Sequence, residues 1–266
     1  MKTKFPVLPV AIIVALVAGV GIVAVVITPR PAELAPKTAC PESGAESVTA
    51  VIVDTSDPLA RHQQTALEQL ADFLTNPQAE AHDMYVSRGH LLTIYEVGAP
   101  EPKRLFRHCN PGAPETRSTG KKLTEGKILA WARFRQFKEA LESAFPDVTR
   151  SAPQTPLIEA IRFVRHAEFP PASVLRSGGT RAGRIVIISD MLQHTDQLSH
   201  FDAHLPPAAS TAKVYSLDLR GIDIHLRYLR VDRYRQYQQG ARPHFTWWRE
   251  FFAATGSPLK HAPEAW

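Results

Sequence analysis

Two apolar, β-branched runs constrain this chain most: "VTAVIVD" at residues 48–54 and "GRIVIISD" at 183–190. Both are short and rich in Val and Ile, and neither alternates polar with apolar residues, so each reads as a strand covered on both faces. The segments around them supply the covering helices. "PLARHQQTALEQLADFL" sets Leu59, Ala66, Leu67, Leu70 and Phe73 or Leu74 on one helical stripe that stops at Asn76-Pro77. Residues 122–145 repeat Ile128, Trp131, Phe134, Phe137, Leu141 and Phe145 at three or four, which predicts one long amphipathic helix. Another helix is expected over 156–167, and "PHFTWWREFFAATG" predicts a last one that ends at Gly256 and Pro258. "HLLTIYEV" and "KRLFRHC" read as strands, and the short link through Gly98 and Pro102 favours an antiparallel pair. "AKVYSLDL" at 212–219 is expected to be the strand after "GRIVIISD". This order predicts an α/β fold: a doubly wound, mostly parallel sheet with helices on both faces, Rossmann-like in plan.

The N-terminus reads differently. Val7 to Ile27 is an uncharged run, and at about 1.5 Å per residue it matches a hydrocarbon layer of roughly 30 Å. It predicts one transmembrane helix, since a cleaved signal has a shorter apolar region and a small-residue cleavage pattern that is missing here. Lys2 and Lys4 precede it, whereas Arg30 and Lys37 with Glu33 follow. That balance favours a cytoplasmic N-terminus and an extracytoplasmic domain. Pro31, Pro36 and Pro41 among small and polar residues mark a stalk. The expected organisation is a tail (1–6), a transmembrane helix (7–27), a linker (28–46), an α/β domain (47–256) and a C-terminal tail (257–266).

The two cysteines, Cys40 and Cys109, lie on one side of the anchor. An oxidising compartment favours their pairing, because the stalk enters the first strand near where the edge hairpin should end. Two unrelated buried thiols are the alternative. A net charge of +5 suggests tolerance of anionic neighbours and little more.

In such sheets ligands bind beyond the carboxyl ends of the strands. Asp54 and Asp190 both stand there, and "DTSDP" adds Thr55, Ser56 and Asp57. Two readings of this polar group compete. Ser, Thr and Asp cap helices by accepting hydrogen bonds from the free N–H groups of a first turn. Alternatively, carboxylates and hydroxyls gathered at one edge form a cation site, and Mg²⁺ accepts one or two carboxylates with several waters.

Three segments, "VIVDTSDP", "SAPQTPLIEAIRFV" and "IVIISDM", together resemble the von Willebrand factor type A (VWA) family. The resemblance covers roughly residues 47–256. It implies a VWA-like fold and a metal-ion-dependent adhesion site built from an Asp-x-Ser-x-Ser motif, a later Thr before Pro-Leu, and a Ser-Asp strand end. The matching residues are Asp54, Ser56, Thr155 and Asp190. It implies Mg²⁺ or Mn²⁺ as cofactor and a protein partner whose acidic side chain completes the coordination. The second serine of the motif falls at Pro58, which has no side-chain oxygen, so Asp57 or water takes its place.

Other motifs carry less. His200 and His204 stand at i, i+4 with Asp196 and Asp202 nearby, a spacing compatible with Zn²⁺, but the Glu of an H-E-x-x-H hydrolase is absent. An exposed helix face is the plainer reading. Residues 219–242 interleave six arginines, Arg220 to Arg242, with Tyr228, Tyr234 and Tyr237, a composition seen in nucleic-acid binders. Asp223 and Asp232 dilute it, so a solvated edge or insertion is expected and no nucleic acid. No Gly-rich phosphate loop or catalytic triad order stands out. The sequence therefore reads as a single-pass membrane protein presenting a VWA-like protein-binding module, in adhesion or in assembly of an envelope complex. No reaction is implied. The rivals are a membrane-anchored metal-dependent hydrolase and a metal-free structural subunit.

Overall fold

The computed structural model describes residues 40–42, 44–79, 84–98, 101–113, 125–145, 152–171, 183–239 and 244–260. The apolar run Val7 to Ile27 lies outside them, and among the described residues no helix is long and apolar enough to cross a membrane. Among the described residues five strands form one mixed sheet: β1 (Val48–Asp54), β2 (Leu91–Val97), β3 (Lys103–Cys109), β4 (Gly183–Ser189) and β5 (Ile222–Tyr228), in the order β3-β2-β1-β4-β5. β1 runs parallel to both β2 and β4, β4 is parallel to β5, and β3 is antiparallel to β2.

Alternation along the central strands decides what each face meets. Ala50 and Ile52 of β1, with Ile185 and Ile187 of β4, enter one core with α4 (Leu157–Glu168), α5 (Ala208–Val214) and α7 (His244–Ala254). Val51, Val53, Val186 and Ile188 enter the other, with α1 (Arg61–Glu68), α2 (Leu70–Thr75) and α3 (Glu125–Glu142). Both faces of β1 and β4 are dry, which is why these strands carry no polar alternation. A short helix, α6 (Arg235–Gln239), follows a 3₁₀ turn at Asp232–Tyr234.

Several elements differ from the sequence expectation. The segment 212–219 is not a strand: α5 ends inside it at Val214, and the fifth strand comes later, at Ile222–Tyr228. There Ile222, Ile224, Leu226 and Tyr228 are buried, while Asp223, His225 and Arg227 are only half-buried. β5 is thus an edge strand with one packed face, and Asp223, His225 and Arg227 are the other half of a period-2 pattern. Residues 257–260 run along it: Ser257 donates its hydroxyl to the Ile222 carbonyl, and the Lys260 N–H reaches Ile224 O at 3.3 Å. The first helix is two helices that meet at Gln69. In α3, Phe137 and Leu141 are buried but Ile128 and Trp131 are 57% and 40% exposed, so only its C-terminal half packs on the sheet. Residues 194–204 form no helix, so His200 and His204 do not share a helical face.

Cys40 and Cys109 are joined by a disulfide, with Cα atoms 4.8 Å apart. The bond ties the start of the described chain to the end of edge strand β3, as expected from the sequence.

Candidate functional site

Beyond the carboxyl ends of β1 and β4 three loops are tied into one rim. The Ser189 hydroxyl donates to Asp54 Oδ2 at 2.6 Å, joining the two strand ends. The Ala152 N–H donates to Ser56 O at 2.8 Å, and Thr155 exchanges two backbone bonds with His194, at 2.8 and 3.1 Å. Asp54, Ser56, Thr155 and Asp190 are therefore brought to one edge, and all four are buried. Gly98, at the end of β2, allows the close fit: a Cβ there would stand 2.9 Å from Thr55 Oγ1 and 3.5 Å from Ala152 Cβ.

Helix capping does not account for these groups. Asp54 Oδ1 accepts from the N–H and hydroxyl of Ser56, at 3.0 and 2.6 Å, and not from the first turn of α1. That turn begins at Ala60, whose N–H is taken by the Gln63 side chain at 2.9 Å. At α4 the free N–H of Ile158 goes to Gln193 Oε1 at 3.0 Å, and Gln193 is held in turn by Glu159. Asp190 Oδ1 accepts from Leu192 N–H at 2.9 Å, a local Asx turn. The next residue, Met191, has φ +61°, a left-handed conformation uncommon for a non-glycine side chain, and it is fully buried.

The electrostatics of the two carboxyls differ. Burial pushes Asp54 up from its ordinary range, and the hydroxyls of Ser189 and Ser56 pull against that shift. Asp190 is driven well above the ordinary range by burial and by the neighbouring Asp54 charge, with only Leu192 N–H opposing. Its Oδ2 is buried and has no hydrogen-bond partner among the described residues. Two carboxyls buried side by side disfavour double ionisation, a repulsion that a cation would relieve. The donor set consists of hard oxygens from carboxylates and hydroxyls, which suits Mg²⁺, Mn²⁺ or Ca²⁺ better than a thiol-seeking metal. The orphaned Asp190 oxygen fits such an ion. Among the described residues no group of three or more His, Cys, Asp or Glu side chains gathers to hold one, so hydroxyls and water would have to complete the shell.

Asp57 points elsewhere. It forms an ion pair with Arg233, and its side chain is 17% exposed. Pro58 beside it offers nothing. Ser189, of the same Ser-Asp strand end, is not among the residues the sequence points to, yet it bridges to Asp54. Arg233 was hidden in an arginine-rich segment whose tertiary position has no local signature.

His200, a zinc candidate in the sequence, is 3% exposed; its Nδ1 accepts from Gln193 N–H at 2.9 Å and its ring stands 5.0 Å from Trp247. Burial, with His244 nearby, pushes it down to about 3, so it is a neutral packing residue of the α7 core.

No family model matches the chain, and no curated protein matches it. Among solved structures, it is similar to proximal thread matrix protein 1 from the mussel byssus, at 16% identity over 70% of this chain and 38% of that one, with a TM-score of 0.32. A form of the mussel protein with a zinc-occupied MIDAS motif gives 14% identity, 70% and 38% coverage and a TM-score of 0.34. The SpRpn10 VWA domain gives 12% identity over 79% of this chain and 82% of that one, with a TM-score of 0.37. The chain spans 38% of the length of the mussel protein. These likenesses are too distant to transfer residue roles.

Proposed function

We propose that the chain is a VWA-like protein-binding module whose carboxyl-edge site takes a divalent cation, Mg²⁺ or Mn²⁺, weakly. The observation that carries this reading is the buried, unpartnered Asp190 Oδ2 beside a second buried carboxyl, Asp54, with no cationic side chain paired to either among the described residues. Asp54, Ser56, Asp190 and Thr155 would hold the ion, and water would stand where the motif has Pro58. When bound, the cation supplies positive charge at the domain surface for a partner's acidic side chain. The protein's own residues keep the site dry, orient the Asp54 carboxylate through Ser56 and Ser189, and hold Asp190 in its turn.

Attachment to a membrane through Val7 to Ile27, with the domain outside the cytoplasm, belongs to the same proposal. The length of that run and the Cys40–Cys109 disulfide support it. A role in adhesion or in assembly of an envelope complex follows from such a placement.

A second reading, a metal-free assembly subunit, is favoured by Pro58 and by the capture of Asp57 by Arg233. One experiment separates them. Tenfold excess of Mg²⁺ or Mn²⁺ over its dissociation constant should stabilise the native state by about 1–2 kcal/mol, and Asp54→Ala should abolish the rise in melting temperature. No calorimetric heat with Mg²⁺, Mn²⁺ or Ca²⁺ would leave the metal-free subunit.

A further inference from the structure

Asp57 and His194 stand at opposite ends of a continuous strip of half-exposed rings. Arg233, paired with Asp57, lies over the Tyr234 ring with its guanidinium carbon 4.7 Å from the centroid. Tyr234 meets Phe201 at 5.2 Å, and Phe201 meets both Tyr237 at 5.0 Å and His194 at 5.2 Å. His194 carries the backbone bridge to Thr155. The strip thus begins beside Ser56 and ends beside Thr155, bordering the site proposed above.

Its burial separates it from the core. Trp248, Phe251 and Phe252 of α7 are fully buried, whereas Phe201, Tyr234, Tyr237 and His194 are half-buried. Phe245 and Trp247 of α7 are half-buried too, but they pack against the core, whereas among the described residues Phe201, Tyr234 and Tyr237 join neither core cluster. Half-exposed Tyr, Phe and Arg side chains, locked against one another, are the composition of the energetic centre of a protein interface. Arg233 points to an acidic group in the partner: its side chain is 51% exposed although Asp57 occupies part of its fork, while the neighbouring Arg235 is taken by Asp232. A guanidinium offers five donors, so a second carboxylate can be accepted alongside Asp57.

We infer that this strip captures a protein segment bearing a carboxylate next to an apolar side chain: Arg233 holds the carboxylate, and Tyr234 and Phe201 receive the apolar group. The inference rests on the protein-binding reading above and names the partner's chemistry. It also assigns Arg233 as a specificity-determining residue outside the motif.

The probe is a set of twelve-residue peptides, each with one Asp flanked by Phe and Leu, matched to versions with Asn for Asp or with Gly for the apolar pair. Binding to the full-length chain in mild detergent is read by fluorescence anisotropy with Mg²⁺ and with chelator. The Asp-Phe-Leu peptides should bind about tenfold or more tightly than either control. Arg233→Glu should remove the preference for Asp, Arg233→Lys should keep part of it, and Phe201→Ala should remove the preference for Phe and Leu. Unchanged melting temperatures confirm that the variants fold. Loss of binding in Arg233→Glu but not in chelator supports the strip while refuting the cation. Loss in chelator and in Asp54→Ala, with Arg233→Glu unaffected, overturns the strip and leaves the cation reading intact. Equal binding of Asp and Asn peptides, or preferential binding of an oligo-dT strand, overturns the inference outright.

Discussion

Glu168 and Asp190 are both buried carboxyls, and they are treated in opposite ways. The Glu168 side chain, at the C-terminal end of α4, is wholly covered, but Tyr95 donates its hydroxyl to it at 2.6 Å and Arg107 and Arg104 approach at 3.2 and 3.6 Å. Burial and this bond push the Tyr95 hydroxyl up to about 12, so it remains a donor. Both arginines come from edge strand β3 and are about half exposed, which lets them bring charge to the carboxylate while their outer atoms stay solvated. Among the described residues Asp190 has one backbone donor, a second carboxyl for a neighbour, and a buried oxygen with no partner. A buried carboxylate that the protein neutralises itself is a structural joint. One left without positive charge costs stability until something from outside supplies it.

The contrast can be broken in three ways. The largest effect is expected from the disulfide, which secures β3, the strand that carries Arg104 and Arg107. Replacing Cys40 and Cys109 by serine should cost about 2–5 kcal/mol. Hydrogen exchange should quicken first in β3 and only later in the loops at 54–57 and 190–193. Early exchange at the latter loops would mean that the two sites are not separate.

Next comes Glu168→Ala. It leaves the Tyr95 hydroxyl without its acceptor, and because the arginines can turn to water the loss should be about 2–3 kcal/mol by denaturant unfolding. A neutral result would mean that the Glu168 cluster contributes nothing net.

The smallest effect has the opposite sign. In chelator, Asp190→Asn should stabilise the protein by about 1–2 kcal/mol at neutral pH, since it removes a carboxyl whose ionisation the fold opposes. A folded pKa raised above the unfolded value, about 3.9, means that the native state binds the extra proton. Stability is then greatest below that unfolded value and declines as pH rises through the folded one. The gap between variant and wild type should therefore widen from pH 4 toward neutrality. His200 and His244, both held below the usual histidine range, lose stability as pH falls, but they are common to both proteins and cancel in the difference. A gap that does not vary with pH would show Asp190 ionised in the fold.

Much of this was legible in the chain. The doubly apolar runs of β1 and β4 identified central strands, and Asp54 and Asp190 could be placed at their carboxyl ends. The short Gly98–Pro102 link indicated the antiparallel β2–β3 pair. At 212–228 the β-rich look of "AKVYSLDL" misplaces the strand, and the arginines of the following segment, expected to be a solvated edge or insertion, mask the cleaner alternation of "IDIHLRY". That alternation becomes decisive only once the strand is known to lie at an edge, where one face is free to be polar. Ile128 and Trp131 misled in the opposite direction: helical spacing marks a face, but only the sheet determines how much of that face is covered.

What the sequence alone determined is what depends on near neighbours: strand and helix periods, the turn-forming Asp-Thr-Ser-Asp-Pro, and which oxygen-bearing residues stand at strand ends. The tertiary structure decided the partners. It gave Asp57 to Arg233 across 176 residues of chain, surrounded Glu168 with arginines, and among the described residues left Asp190 with none. Charge compensation acts over a few ångströms in space irrespective of separation along the chain. Identical side chains therefore become joint or site according to which cations the fold brings within reach.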